Sequence, residues 1–232
     1  MATAKSATPT GAHVSITPPD FGHLELMIRG TAPLVIERFS KKAELMAKME
    51  QGSTAKGKRE RTARDYERDA EEARYRSADG GWEGINAAAF RAAMISACRL
   101  VGYKMTMMKM SVFIEADGFD VFEGLPLVRI YGESETFTAH TRNATGVVDV
   151  RARPQYRDWA AKLRIEYDKS QFNAIDIVNL VSRVGLQVGI GAGRPDSKAS
   201  AGCGWGTFVL IHDAEEEAIR ARFDIKRGKA MS

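Results

Sequence analysis

Near its C-terminal end the chain gathers residue types that suit contact with a polyanion. Val188-Gly189-Ile190-Gly191-Ala192-Gly193-Arg194-Pro195 is followed by Lys198 and then by Gly202-Cys203-Gly204-Trp205-Gly206-Thr207-Phe208. Glycine at this density admits positive φ and close backbone approach, Arg194 and Lys198 offer charge to phosphate, and Trp205 offers a stacking face. The combination points to nucleic acid, with Gly191 and Gly193 as the positions where a strand's backbone would pass. A dinucleotide fingerprint runs strand, glycines, helix, whereas here the glycines follow a helical pattern and lead into an apolar strand. No Gly-x-x-x-x-Gly-Lys-[Ser/Thr] phosphate loop occurs either. The competing explanation is an exposed hairpin loop rich in spare glycines.

Two further groups of cations are candidates for the same surface. Lys56, Lys58, Arg59, Arg61 and Arg64 form one, and Arg142, Arg151, Arg153, Arg157, Lys162 and Arg164, spread over strand-like segments, form the other; Arg38 joins them. The second group is dominated by arginine, whose planar fork suits phosphate and base stacking. The overall excess is mild, 34 basic against 30 acidic residues for a net charge of +4. Distribution therefore counts for more than total, and a solvated charged face explains either group equally well.

Catalytic and metal constellations are weak. His13, His23, His140 and His212 are scattered, and none has a partner at metal-ligand spacing. Cys98 and Cys203 stand far apart, so neither a zinc site nor a disulfide framework is expected, and a reduced compartment is. The carboxylates Asp65, Glu67, Asp69, Glu71 and Glu72 are interleaved with cations and read as a solvated face. No metal, cofactor or catalytic set is assigned.

The elements that must carry these residues follow from periodicity. Residues 1–20 read as a flexible arm without an apolar leader, and 41–76, with a margin to 80, as a charged insertion too polar to supply core. Alternation over 24–28, 111–115, 125–131, 148–153 and 162–167 predicts strands. The 148–153 and 162–167 strands are expected to pair as a hairpin whose outward side is a cationic ribbon. Helical spacing appears over 85–101, with Asn86 as cap, and from Asn173, with Asp176 in the first turn and Gly185 as the stop. Met105, Met107, Met108 and Met110 are expected to fill an irregular part of the core. The last strand is 207–211, and 214–232 is a tail, acidic at its start and basic at its end, that is expected to make a short peripheral helix. With the insertions removed, the order gives an α+β, ferredoxin-like (RRM-like) domain over 21–213: an antiparallel sheet with helices on one face. No run of about 18 apolar residues is present, so a membrane span is not expected, and a cytoplasmic protein is.

A helix, then Val-Gly-Ile-Gly-Ala-Gly-Arg-Pro, then Gly-Trp-Gly-Thr-Phe before the last strand resembles the glycine-rich loop of the RAMP superfamily, the modified RNA-recognition-motif proteins of CRISPR effector complexes. The span 24–213 also resembles a recurrent phage and prophage protein, through segments such as Pro33-Leu34-Val35-Ile36-Glu37-Arg38-Phe39-Ser40-Lys41-Lys42-Ala43. The resemblance implies a subunit that coats single-stranded DNA or RNA as a homo-oligomer or helical filament, its glycine loop against the strand and its 41–76 insertion reaching the next copy. Some RAMP relatives cut RNA without metal through a histidine near the loop; His140 and His212 are the nearest candidates, and neither has a companion base in the sequence. The reading is a non-enzymatic single-strand-binding protein. The alternatives are a metal-independent RNA endonuclease and a phage assembly protein whose basic clusters bind acidic neighbours.

Overall fold

The computed structural model describes residues 16–38, 65–142, 148–197 and 202–225. In chain order these form β1 (Phe21–Gly30), β2 (Leu34–Val35), α1 (Tyr66–Glu72), β3 (Tyr75–Arg76), β4 (Glu83–Asn86), α2 (Ala87–Ala97), α3 (Met105–Ser111), β5 (Val112–Ile114), β6 (Gly118–Phe119), β7 (Pro126–Tyr131), β8 (Ser134–Arg142), β9 (Val148–Tyr156), β10 (Ala160–Asp168), α4 (Ala174–Arg183), β11 (Phe208–Leu210) and α5 (Asp213–Arg222). The chain is a mixed α/β protein with antiparallel sheets and five α-helices among the described residues.

Alternation in β1 and β10 sets the centre of the main sheet. The two strands pair antiparallel from Phe21↔Asp168 to Arg29↔Ala160, within the order β11-β1-β10-β7-β4-β3, with β5 against β10 and β6 against β7. Because side chains alternate between faces, Ile28, Leu163 and Ile165 point to one side, where they form the core with Phe90 and Met94 of α2 and Ile177 and Val181 of α4. Met27 and Ala160 point to the other, where Ile219 of α5 and Ile225 cover them. Helices thus lie on both faces, because the C-terminal helix docks on the side the sequence leaves open.

A second sheet, β2-β9-β8, is built on the hairpin that pairs Ser134↔Tyr156 through Arg142↔Val148. The expected hairpin between 148–153 and 162–167 is therefore replaced: β9 and β10 belong to different sheets. The cause is Trp159, which sits in the short link between them, fully buried, with its indole Nε1 donating to the Ala32 carbonyl at 2.9 Å. Its ring fills the space over Gly30, where a Cβ would fall 2.2 Å from the indole nitrogen. Anchoring that indole turns the chain from one sheet into the other.

The helix starts follow their caps. Asn86 Oδ1 accepts the Ala88 N–H at 2.9 Å, and Asn173 and Asp176 form a reciprocal capping box at α4. Gly185 does not end that helix. The chain continues through a π-type turn, Val184–Val188, and stops at Gly189, whose φ is +68°. The bare Cα of Gly185 instead admits the Phe208 carbonyl of β11, which a Cβ would approach to 2.2 Å. Within α3, Met108 is buried as expected of a core methionine, whereas Met105 and Met110 are exposed. The described end of the charged insertion also departs from expectation: α1 and β3 carry Ala70 and Tyr75 as buried residues, so this part does supply core. No helix of the described residues is long and apolar enough to cross a membrane.

Candidate nucleic-acid interface

The glycine-rich loop is a stapled structure. Ile190 N–H donates to Gly206 O at 3.0 Å and Cys203 N–H to Gly193 O at 2.7 Å, tying its two arms together. Ala192 N–H then donates to Val35 O and Gly206 N–H to Pro33 O, both at 2.8 Å, pinning the loop to β2. A Cβ at Gly191 would lie 2.5 Å from the Val35 carbonyl oxygen, and one at Gly193 would lie 2.5 Å from the Trp205 ring. Both glycines therefore serve approach by the protein's own atoms. Trp205 is half-buried, packed on Gly193 and edge-on to Phe137 of β8, with ring centroids 5.3 Å apart.

Beside this loop a cavity of about 430 Å³ opens against α2 and α3, and its charged lining is Arg99, Lys109, Arg194 and Asp196. Three cations face a single carboxylate. Lys109 lies in the last turn of α3, and Arg99 in the short 3₁₀ turn Cys98–Val101 that follows α2, positions where a cation also complements the helix dipole. Arg194 donates to the Gly191 carbonyl at 3.0 Å, which aims it from the loop. Neither Lys109 nor Arg194 has a carboxylate within ion-pair distance among the described residues. Asp196 is the exception on the wall: the Ser96 hydroxyl, opposed by partial burial and reinforced by the Arg99 guanidinium and the charge of Arg194, holds its carboxyl below the usual carboxylate range. Ser96, Arg99, Lys109 and Asp196 were not singled out by sequence, since each is an ordinary polar residue on a helix or loop until the fold brings them together.

The cations that sequence did single out are largely spoken for. Arg151 Nη1 and Arg153 Nη2 both reach Glu37 Oε1, at 3.4 and 2.5 Å. Lys162 pairs with Glu25 at 3.3 Å, and Arg164 pairs with Asp117 at 3.1 Å while also donating to the Ala116 carbonyl. The expected cationic ribbon is thus a face of ion-paired cations, Arg151 and Arg153 sharing Glu37, because each basic strand lies beside acidic side chains from β1, the β2 exit and the turn after β5. Burial pushes the Asp117 carboxyl up, against its backbone hydrogen bond from Arg129 and the charge of Arg164.

Arg38, expected at the interface, is instead buried in an ion-paired network. Its side chain is 1% exposed, donating to Asp120 Oδ2 at 2.7 Å, Glu123 Oε1 at 2.8 Å and the Arg74 carbonyl at 3.1 Å, with the guanidinium over the Tyr75 and Phe122 rings. It holds α1, β3 and the β6–β7 turn together and offers nothing to a ligand. A neighbouring network does the same at the sheet junction: Tyr156 Oη, Ser134 Oγ and Arg74 Nη1 all donate to Glu83, at 2.5, 2.7 and 2.8 Å. Burial alone would raise the Glu83 carboxyl, and these three donors hold it below the ordinary range. Lys56, Lys58, Arg59, Arg61 and Lys198 lie outside the described residues, as do the side chains of Arg142 and His140.

Among the described residues no three His, Cys, Asp or Glu side chains converge as metal ligands would. His23 Nδ1 lies 3.0 Å from Glu115 Oε1 near the start of β1, roughly 25 Å along the strand from the glycine loop at 3.3 Å per residue. No family model and no curated protein matches the chain.

Proposed function

We propose that the protein is a non-enzymatic single-stranded nucleic-acid-binding protein whose strand lies along the cation-lined cavity between α2, α3 and the glycine-rich loop. The observation that carries this reading is the convergence of Arg99, Lys109 and Arg194 on one cavity with Asp196 as its single carboxylate. Partly exposed cations without counter-charges attract a polyanion and release its condensed counterions, whereas ion-paired ones contribute little. A ferredoxin-like, RRM-like domain is the architecture we favour. Its support is the order β11-β1-β10-β7, all antiparallel, with α2 between β1 and β7 in sequence and α4 between β10 and β11. Binding as a homo-oligomer or filament belongs to the same reading, and the exposed Leu100, Val101 and Leu186 on the helical side supply apolar surface for contacts between copies.

Filter binding with labelled single-stranded DNA, single-stranded RNA and duplex, each across a salt series, tests the reading. It expects both single strands to bind with little sequence preference, duplex to bind more weakly, and affinity to fall steeply with salt. Absence of single-strand binding at low salt, or cleavage of the RNA without metal, contradicts it.

A further inference from the structure

Ser96, Arg99 and Asp196 line two cavities at once, the one of about 430 Å³ that holds Lys109 and Arg194 and a second of about 340 Å³ bounded by Leu100, Gln187 and Pro195. The three side chains form the partition between them. Arg99 Nη2 donates to Asp196 Oδ1 at 2.7 Å, and the Ser96 hydroxyl donates to Asp196 Oδ2. Only Oδ1 of Asp196 reaches Arg99, whose Nη2 and Nε also donate to the Ser96 hydroxyl and carbonyl, so Asp196 places one anionic oxygen where an oxygen of a strand's phosphate would sit.

The partition is built to open. Arg99 is 57% exposed and Asp196 32% exposed, so their pairing is weakened by solvent and a competing anion can exchange with it. The two partners also belong to different elements: Ser96 and Arg99 sit at the end of α2, and Asp196 on the glycine loop, where its backbone N–H is held by the Val188 carbonyl at 3.1 Å. Rotation of the Asp196 side chain therefore removes the carboxylate from Arg99, which stays aimed by its bonds to the Ser96 hydroxyl and carbonyl, without moving either backbone.

We propose that Asp196 is an internal substitute for phosphate, a latch held by Ser96 that occupies Arg99 in the free protein and is displaced by the phosphodiester of a bound single strand, joining the two cavities into one groove. The inference rests on the function proposed above and adds regulation to it. In the free protein Lys109 and Arg194 carry no ion pair among the described residues, and Arg99 becomes a third phosphate contact only when the latch opens.

The experiment measures binding of a fluorescently labelled oligo(dT) by anisotropy across a salt series for the full chain, for Asp196→Asn, for Arg99→Ala, for the double variant and for Ser96→Ala, with melting temperatures on the same preparations. Asp196→Asn is expected to bind about five- to tenfold tighter, with the slope of log affinity against log salt steeper by about 0.7, the increment for one further single-strand phosphate contact. That gain should shrink to less than about twofold when Arg99 is alanine, since interacting residues are non-additive. Ser96→Ala, which changes no charge, should tighten binding in the same direction by about two- to threefold as the latch loosens. A gain from Asp196→Asn that keeps its full size without Arg99 is a general charge effect and overturns the latch, as does weaker binding by a folded Ser96→Ala. Oligo(dT) left unbound by both the unaltered protein and Asp196→Asn overturns the proposed function and the latch together.

Discussion

The polar faces of β9 and β10 and the cavity beside the glycine loop each carry several cations, and they use them differently. On the strands, Arg151, Arg153, Lys162 and Arg164 each reach a carboxylate on a neighbouring element. At the cavity, Lys109 and Arg194 have no carboxylate within ion-pair distance among the described residues, and Asp196, paired with Arg99, also feels the Arg194 charge. A count of basic residues along a sequence therefore says little about a binding surface. What matters is which of them the fold leaves without a counter-charge, because only those gain from meeting a polyanion.

The sharpest way to show that a sequence-candidate cation is structural is to remove Arg38. Arg38→Ala leaves the fully buried Asp120 carboxylate with the backbone N–H groups of Arg76, Phe122 and Glu123 but without its guanidinium, and the loss of one partner of a buried pair costs about 3–5 kcal/mol. Chemical denaturation should show that loss, and the fraction that stays folded should bind single strands as before; a stable variant with weakened binding would return Arg38 to the interface.

The glycines divide the same way. Gly206 has φ +66°, and a Cβ there would fall 1.8 Å from the Ile190 carbonyl oxygen. Gly206→Ala should therefore cost about 2–5 kcal/mol, combining a left-handed alanine with overpacking. Gly204 has φ +73° with nothing near its Cβ position, so Gly204→Ala should cost only about 1–2 kcal/mol. Equal losses in thermal or denaturant unfolding would mean that the loop's close packing is not what requires glycine.

Glu83 gives the pH signature of the neutralised side. Its carboxyl lies below the ordinary range when folded, so the unfolded chain binds the proton more readily. Stability from this group is present above the unfolded value and is lost as pH falls through the folded one. Glu83→Gln should remove about 1.5–3 kcal/mol at neutral pH, the worth of hydrogen bonds to a charged group, and should flatten the acid limb of the stability curve. An unchanged acid limb would place that dependence on other carboxylates.

Much of this was legible before any coordinates. Alternation located β1 and β10, helical spacing located α2 and α4, and Asn86 and Asn173 announced their caps because those signals are local. The glycine loop was legible as a unit for the same reason. What stayed hidden was pairing over distance: alternation in 148–153 and 162–167 cannot say that Trp159 sends them to different sheets, and Arg38 meets Asp120 and Glu123 at separations of 82 and 85 residues. Arg99, Lys109 and Asp196 lie in three separate segments, each unremarkable alone, and become a site only when α2, α3 and the loop meet.

Two double variants that lower the net charge equally separate the unpaired cations from the paired ones. Lys109→Gln with Arg194→Gln removes two unpaired cations, and Arg151→Gln with Arg153→Gln removes two paired ones. Oligo(dT) affinity measured across a salt series should fall about tenfold at low salt for the first, with the salt slope shallower by about 1.4, two phosphate contacts at 0.7 each. The second should keep the slope of the unaltered protein and lose less than about twofold in affinity, the small worth of cations already paired. The reverse pattern, with the slope falling for Arg151 and Arg153 and unchanged for Lys109 and Arg194, would contradict the account.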